Sequence, residues 1–223
     1  MSRRYQPRHL LVRPNGTWRG GTAVGVITLA ITGVSFVGAG YGTGAPPPVV
    51  TASSGSGSAG IGSAPVAAST PVQLRIGAIS VEAAVERVDV DRDGTLTPPS
   101  LREAAKVGWY RRGPTPGEAG NAVIVGHVDT VGSGPAVFYR LGLLEPGDAI
   151  VVARRDGSTV TFAVDGVRLY PKHEFPADLV YGPATRPQLR LVTCGGTFDR
   201  ATSTYTGNTV VTATMVSWRA GPG

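Results

Sequence analysis

One thiol and one imidazole are the residues of this chain whose chemistry and position suggest catalysis. Cys194 is the single cysteine, and His127 is one of three histidines. A free thiol has a pKa of about 8.5 and is mostly protonated at neutral pH, so a neighbouring histidine is the usual means of forming the reactive thiolate. Because a lone cysteine cannot form an internal disulfide, Cys194 is a packing residue, an intermolecular disulfide partner or a reactive thiol.

The surroundings of the two residues favour the reactive alternative. The apolar run 122–125 is followed by Gly126 and His127, and the predicted strand 188–193 ends at Cys194, which a Gly-Gly pair follows. A strand that ends before a glycine turn can present a side chain to a cleft, and glycines allow a substrate backbone to approach closely. Taken singly, each residue is as easily a buried core residue as a catalytic one. Together, the two strand ends predict a Cys–His pair.

The part of the chain that must position this pair, residues 71–223, consists of short β-compatible runs with turns between them. The Asp-Gly dipeptides at 93–94 and 156–157 predict tight turns, the second within a hairpin. About eight strands with one-turn helices predict a mainly β fold, a closed or nearly closed barrel. The predicted strands are 72–79, 83–90, 121–128, 149–153, 159–170, 188–193 and 209–216, and the short helices are 101–105, 137–144 and 177–181.

The N-terminal part of the chain carries most of the positive charge. Five arginines lie in residues 1–20, and no acidic residue occurs before residue 75. Residues 21–42 are uncharged and mostly apolar, which is long enough to cross a bilayer. Arginines on one side only predict a cytoplasmic tail at 1–20, a single transmembrane signal anchor at 21–42 and an extracytoplasmic domain. A cleavable signal peptide is the alternative, because small residues at 38–45 could accept cleavage.

Residues 43–70 are rich in Pro, Gly and Ser and contain no charge, which predicts a flexible linker between membrane and domain. The formal net charge of +6 therefore belongs mainly to the N-terminal tail, and the remainder of the chain is nearly neutral. For this reason no nucleic-acid partner is expected.

Two segments of the chain resemble the signature segments of sortases. These are Leu191-Val192-Thr193-Cys194 and the strand that ends in Gly126-His127, with Cys194 67 positions after His127. The longer strings 126–130 (Gly-His-Val-Asp-Thr) and 193–199 (Thr-Cys-Gly-Gly-Thr-Phe-Asp) are most similar to the class F sortases of actinobacteria. The resemblance covers residues 71–219, and a membrane anchor with a linker is also typical of the family.

The resemblance implies an eight-stranded barrel and transpeptidation at a sorting signal similar to Leu-Pro-x-Thr-Gly. Cys194 would form a thioacyl enzyme, and His127 would protonate the leaving amine. The implied partners are secreted proteins with C-terminal sorting signals and an amine acceptor, such as a cell-wall precursor or a pilin. No cofactor is implied.

The chain departs from the family at the arginine that stabilises the oxyanion or positions the substrate. Thr206 stands at that position in Tyr-Thr-Gly-Asn, and the nearest arginine is Arg200, so either residue could serve the role. The motif before the cysteine is changed as well, with Arg190 at its first position. The missing arginine leaves open a weak or inactive domain that only binds peptides at the surface.

Other sequence motifs give weaker evidence of a functional site. The run from Asp89 to Gly94 has the opening spacing of an EF-hand loop, but Ser100 stands where the bidentate Glu is needed, so a polar turn is predicted. One Cys and two His in the domain cannot form a common structural zinc site.

Asp129 would either orient the imidazole or cap a turn, and His173 lies in a predicted solvated loop. L,D-transpeptidases also pair Cys with His, but they carry Ser-x-Gly-Cys, whereas Thr193 precedes the cysteine here.

The charge asymmetry generates a prediction about topology. Protease added to intact protoplasts should digest the domain at 71–223, because the arginines of residues 1–20 hold the N-terminus in the cytoplasm. Immunoblotting with an antibody against the domain measures this. Full protection of the domain would contradict the predicted orientation.

Overall fold

Eight strands close a β-barrel. The computed structural model describes residues 64–92, 95–130 and 133–222. Around the barrel the strands follow the order β1-β2-β3-β4-β9-β10-β8-β7, and β5 and β6 form a separate two-stranded sheet. The strands are β1 Pro71–Ile76, β2 Val81–Val88, β3 Val107–Tyr110, β4 Gly120–Val125, β5 Asp129–Thr130, β6 Gly134–Pro135, β7 Ala149–Arg154, β8 Thr159–Pro171, β9 Pro187–Asp199 and β10 Thr204–Arg219. The predicted mainly β, eight-stranded barrel is therefore confirmed.

Helical structure among the described residues is short. The one α-helix there, α1, is Ala177–Tyr181, as predicted from the sequence. The 3-10 turns are Gly77–Ile79, Leu101–Glu103, Leu141–Leu143 and Lys172–Glu174. No helix within the described ranges is long and apolar enough to span a membrane. The predicted span at 21–42 lies outside those ranges.

Alternate residues of the strands fill the barrel interior. On β4 these are Ala122 and Ile124, and on β9 they are Leu189 and Leu191; all are at most 1% exposed. They belong to one cluster that also contains buried side chains of the other barrel strands. Alternation of this kind follows from the two-residue period of a strand, which points successive side chains to opposite faces.

The intervening residues of β4, β9 and β10 are also buried, on the outer face of the barrel. Val125, Val192, Cys194 and Val210 belong to a second cluster, hereafter the outer cluster. Its members from outside the barrel include Leu96 and, in and next to α1, Phe175, Ala177 and Val180. Since β4 and β9 are covered on both faces, their sequences are nearly continuous apolar runs instead of alternating ones.

Two of the barrel pairings are parallel. β2 pairs with β3, and β4 pairs with β9, whereas the other barrel neighbours are antiparallel. In the β4–β9 ladder Gly120 lies opposite Pro187 and Val125 lies opposite Val192. The carboxyl ends of these two strands therefore lie side by side.

Several predicted bounds differ from the structure. β9 does not end at Cys194 but continues to Asp199, because it forms a long ladder with β10 through Phe198 and Asp199. β3 was not predicted, since it has only four residues. The helix predicted at 137–144 is reduced to the 3-10 turn Leu141–Leu143. The Asp-Gly turn at 156–157 joins β7 to β8 as predicted, while residues 93–94 lie outside the described ranges.

Residues 64–70, which the sequence assigned to the linker, run along the barrel. The Val66 amide donates to the Gly117 carbonyl at 2.9 Å. The buried guanidinium of Arg154 donates to the Ala67 carbonyl at 2.7 Å. The ordered domain therefore begins before residue 71, at a point where no apolar pattern marks it.

The interior packing predicts a large loss of stability when an aromatic core residue is truncated. Phe162 on β8 is 0% exposed and lies opposite Ile150 and Met215. Phe162→Ala should lower the free energy of unfolding by about 3–5 kcal/mol, because the cavity cannot collapse fully in a closed barrel. Urea unfolding measures the change.

The matched control is Val216→Ala on the neighbouring strand β10, where the side chain is 44% exposed. We expect a change within about 0.5 kcal/mol there. Equal effects of the two substitutions would contradict the assignment of Phe162 to the interior.

Candidate active site

The parallel pairing of β4 and β9 places the segments that carry His127 and Cys194 side by side. Val125 lies opposite Val192, and the Gly126 amide extends the ladder by donating to the Val192 carbonyl at 3.2 Å. His127 and Cys194 each follow this pair by two residues. Neighbouring strands are about 4.8 Å apart, so the two residues follow adjacent strand positions at the same end of the barrel.

Gly126 allows the chain to turn into the site. A Cβ at this position would lie 2.7 Å from a ring carbon of Phe138 and 2.9 Å from a methyl group of Val137. The segment after Gly126 is held by two backbone hydrogen bonds, from Phe138 N–H to the His127 carbonyl at 2.9 Å and from Ala136 N–H to the Val128 carbonyl at 3.0 Å. The backbone of His127 is therefore fixed by close packing that only glycine permits.

The His127 ring is buried and engaged by a backbone carbonyl. The residue is 8% exposed, and its Nε2 lies 2.7 Å from the carbonyl oxygen of Pro99. A carbonyl only accepts hydrogen bonds, so Nε2 carries the proton. In the neutral ring Nδ1 is then the basic nitrogen, and the Pro99 carbonyl selects this tautomer.

Cys194 is a protonated thiol in this state. Burial raises its pKa to about 11, the positive charge of Lys172 acts in the opposite direction, and the carboxylate of Asp129 raises the pKa further. The residue is 8% exposed. Because a thiol with this pKa holds its proton at neutral pH, nucleophilic attack requires a base or a change in surroundings.

Asp129 is bonded to a tyrosine. Its carboxylate accepts a hydrogen bond from the hydroxyl of Tyr205, which lies 76 residues away in the sequence. Burial and this bond raise the pKa of Tyr205, so the phenol stays a neutral donor. The ring of Tyr205 also packs edge-on against Phe198, with centroids 5.2 Å apart. This bond to β10 is a role that neither sequence-based alternative for Asp129 included.

Lys172 is the cation whose charge acts on the thiol. It follows the last residue of β8, is half-buried and donates a hydrogen bond to the Thr204 hydroxyl. Burial lowers its pKa, while the nearby Cys194 raises it. The sequence patterns did not single out Lys172. Its neighbour His173, predicted to lie in a solvated loop, is exposed and pairs with Glu174 at 3.2 Å.

Asn208 is a second residue that sequence reasoning did not single out. It lies directly opposite Cys194 in the β9–β10 ladder and is 0% exposed. Among the described residues, neither its Oδ1 nor its Nδ2 has a hydrogen-bond partner. The signal that could have indicated it is its place in Tyr-Thr-Gly-Asn, two residues after Thr206.

The structure shows Arg200 and Thr206 at the surface. Arg200 is exposed in the turn that joins β9 to β10, and no ion pair is found for it within the described ranges. Thr206 is also exposed, and its hydroxyl accepts a hydrogen bond from the Thr197 amide at 3.1 Å. Neither residue is a register partner of Cys194, which pairs with Asn208.

Arg190 has a structural role on the outer face. Its Nε donates to the Leu179 carbonyl of α1 at 2.9 Å, and burial lowers its pKa to about 10. Asn121 on β4 donates to the Gly182 carbonyl just after α1 at 2.9 Å. The two side chains therefore hold α1 against β4 and β9, which gives the long cation at position 190 a structural role.

An open pocket of about 580 Å³ is lined by residues of 79–82, 101–105, 130 and 133–140. Neither His127 nor Cys194 lines it. The described residues contain no cluster of three His, Cys, Asp or Glu side chains that could hold a metal ion. Asp89, from the EF-hand-like run, is engaged by Arg111 and by Arg112, the latter at 2.6 Å.

The charges near Cys194 predict opposite pH shifts for two substitutions. Lys172→Gln removes a cation that favours the thiolate, so the pKa of Cys194 should rise above about 11. Asp129→Asn removes an anion that disfavours the thiolate, so the pKa should fall. The rate of labelling by iodoacetamide as a function of pH measures both, because the chain has one cysteine.

Lys106, the other lysine of the chain, is the matched control, since it pairs with Glu103 and is not among the charges that shift the pKa of Cys194. Lys106→Gln should leave the labelling profile unchanged. Equal shifts from both lysine substitutions would show that total charge, not proximity, sets the pKa.

Comparison with known proteins identifies the family of the chain. The sortase domain model matches residues 74–216, more than half of the chain. A search of curated proteins found no significant match. Among solved structures, the chain is similar to sortase C-1 from Actinomyces oris, with 20% identity, a TM-score of 0.50 and coverage of 65% of this chain and 73% of that one.

Two further structures are similar. The SrtA sortase from Actinomyces oris has 22% identity and a TM-score of 0.50, with coverage of 70% of this chain and 84% of that one. Sortase A from Listeria monocytogenes has 14% identity and a TM-score of 0.52, with coverage of 70% and 92%. At these identities the likeness shows the fold, whereas the domain match shows the family: the chain belongs to the sortases and is a cysteine transpeptidase.

Proposed function

We propose that this sortase cleaves a sorting signal similar to Leu-Pro-x-Thr-Gly through a thioacyl intermediate on Cys194, with His127 as acid and base. The observation that supports the proposal is the parallel register of β4 and β9, which pairs Val125 with Val192, and His127 and Cys194 each follow two residues later. A histidine beside a thiol is the arrangement that cysteine nucleophiles require.

In the first step the proton of the Cys194 thiol moves to the basic nitrogen of His127. The thiolate sulfur attacks the carbonyl carbon of the Thr-Gly bond, so a carbon–sulfur bond forms and the carbonyl π electrons move to oxygen. The tetrahedral oxyanion then collapses, the carbon–nitrogen bond breaks, and the proton held by His127 passes to the leaving amine.

In the second step an acceptor amine attacks the thioester carbon. Its proton passes to His127, a new carbon–nitrogen bond forms, and the carbon–sulfur bond breaks. The sulfur recovers a proton from the imidazolium, which restores the starting enzyme. We propose a cell-wall precursor or a pilin as the source of the amine, and secreted proteins with C-terminal sorting signals as acyl donors.

Two features keep the site unreactive before a substrate binds. The Cys194 thiol is protonated and nearly buried, and the Pro99 carbonyl occupies Nε2 of His127. Peptide binding must therefore uncover the outer cluster near Cys194. In the proposed step the positive charge of Lys172 stabilises the Cys194 thiolate, because this charge lies close to the sulfur.

The finer assignments extend this proposal. The strings at 126–130 and 193–199 support a class F sortase. The one-sided arginines of residues 1–20 and the uncharged span 21–42 support a single-pass membrane anchor with the catalytic domain outside the cell. Arg200 and Thr206 stay in the proposal as residues that contact the bound peptide.

The mechanism predicts distinct phenotypes for the two central residues. Cys194→Ala should abolish the covalent adduct with a Leu-Pro-x-Thr-Gly peptide, because no sulfur is left to accept the acyl group. His127→Ala should slow acylation by about 10²–10⁴-fold through loss of general acid–base catalysis. Intact-protein mass spectrometry of the adduct measures both.

His173→Ala serves as the control, because this exposed imidazole pairs with Glu174 outside the site and should not affect the rate. Cleavage that persists in Cys194→Ala would refute the mechanism. Peptide binding without any adduct in the unmodified protein would instead support the peptide-binding surface domain.

A further inference from the structure

A buried amide without a hydrogen-bond partner lies beside Cys194. Asn208 is 0% exposed, and neither polar atom of its side chain is bonded among the described residues. An unsatisfied buried amide destabilises a fold, and the great majority of buried polar groups in proteins are bonded. An unpaired amide at this place is explained if its partner arrives with the substrate.

Asn208 lies next to the point where negative charge would develop on the substrate carbonyl oxygen. It pairs directly with Cys194, and directly paired residues of antiparallel strands point to the same face with Cα atoms about 4.5–5.5 Å apart. On its other side Asn208 pairs with Tyr170 of β8. The carboxamide therefore lies on the outer face, next to the sulfur that attacks the substrate carbonyl.

We propose that the Nδ2 group of Asn208 donates a hydrogen bond to the carbonyl oxygen of the scissile bond and stabilises the oxyanion. The proposal rests on the proposed function, because it requires acyl transfer to Cys194. During attack the carbonyl π electrons move to oxygen, and a fixed N–H donor at that point stabilises the transition state more than the ground state.

The two other candidates for this role are less well placed. Thr206 is exposed, and its hydroxyl already accepts from the Thr197 amide. Arg200 is exposed in the β9–β10 turn, six residues beyond Cys194, and ordering a long side chain there carries a conformational entropy cost. Asn208, in contrast, is immobilised on a barrel strand before the substrate arrives.

Burial of Asn208 does not separate it from the substrate. Cys194 is itself 8% exposed, so any peptide that reaches the sulfur must first uncover the outer face at this point. Asn208 is the adjacent residue on that face, so the movement that exposes Cys194 to the peptide also exposes Asn208.

The decisive variant is Asn208→Leu, which keeps the number and branching of the side-chain heavy atoms and removes the donor and the acceptor together. We expect single-turnover acylation by a Leu-Pro-x-Thr-Gly peptide to slow by about 10²–10³-fold, the loss typical of an oxyanion donor, with little change in KM. The Tm should stay equal or rise, because an unsatisfied buried amide has been removed. Iodoacetamide labelling of Cys194 should not change. Asn208→Asp, which cannot donate when ionised, should also lose acylation.

Asn121 provides the matched control, since it is a buried amide at the other end of the same face but donates to the Gly182 carbonyl. Asn121→Leu should lower the Tm while acylation stays within about threefold of the unmodified protein, because a bonded amide stabilises the fold.

Three results would overturn the proposal. Acylation by Asn208→Leu within threefold of the unmodified protein would remove the amide from the mechanism and leave the proposed function intact. A loss of acylation accompanied by a lower Tm and altered thiol labelling would make Asn208 a structural residue. If the unmodified protein forms no adduct, the proposed function fails, and this proposal fails with it.

Discussion

The parallel pairing of β4 with β9 is the interaction on which the site depends. His127 and Cys194 are 67 residues apart in sequence, and the register that joins Val125 to Val192 has the same offset. Both strands are buried on both faces, so a slip of one residue would turn interior side chains such as Ile124 and Leu191 outwards. The hydrophobic packing of the barrel therefore also fixes the register of the two strands that lead to His127 and Cys194.

Around the thiol, burial and two opposite charges determine the protonation state. Desolvation and Asp129 favour the neutral thiol, whereas Lys172 favours the thiolate. Tyr205 binds the Asp129 carboxylate, which ties this negative charge to β10. A thiol kept protonated in this way is protected from side reactions until a substrate changes its surroundings, and the carbonyl of Pro99 holds His127 in one tautomer meanwhile.

The barrel could be anticipated because its strands carry local signals, but the site could be anticipated only in part. The Asp-Gly turn at 156–157 and the apolar runs that became β4 and β9 are short-range features. The end of β9 was predicted at Cys194, whereas pairing with β10 extends the strand to Asp199, and such pairing is invisible in a local window. The bonds of Tyr205 to Asp129 and of Arg190 to α1 are likewise long-range or depend on burial.

The sequence by itself determined that one cysteine and one histidine follow apolar strands beside glycines, because residue type and two-residue periodicity are local properties. It also determined a basic N-terminal tail and an uncharged span before the domain. Only the tertiary structure decided which groups surround the thiol. Lys172, Asp129 and Asn208 come from three separate segments, and barrel closure with its strand register, not their order along the chain, brings them to Cys194.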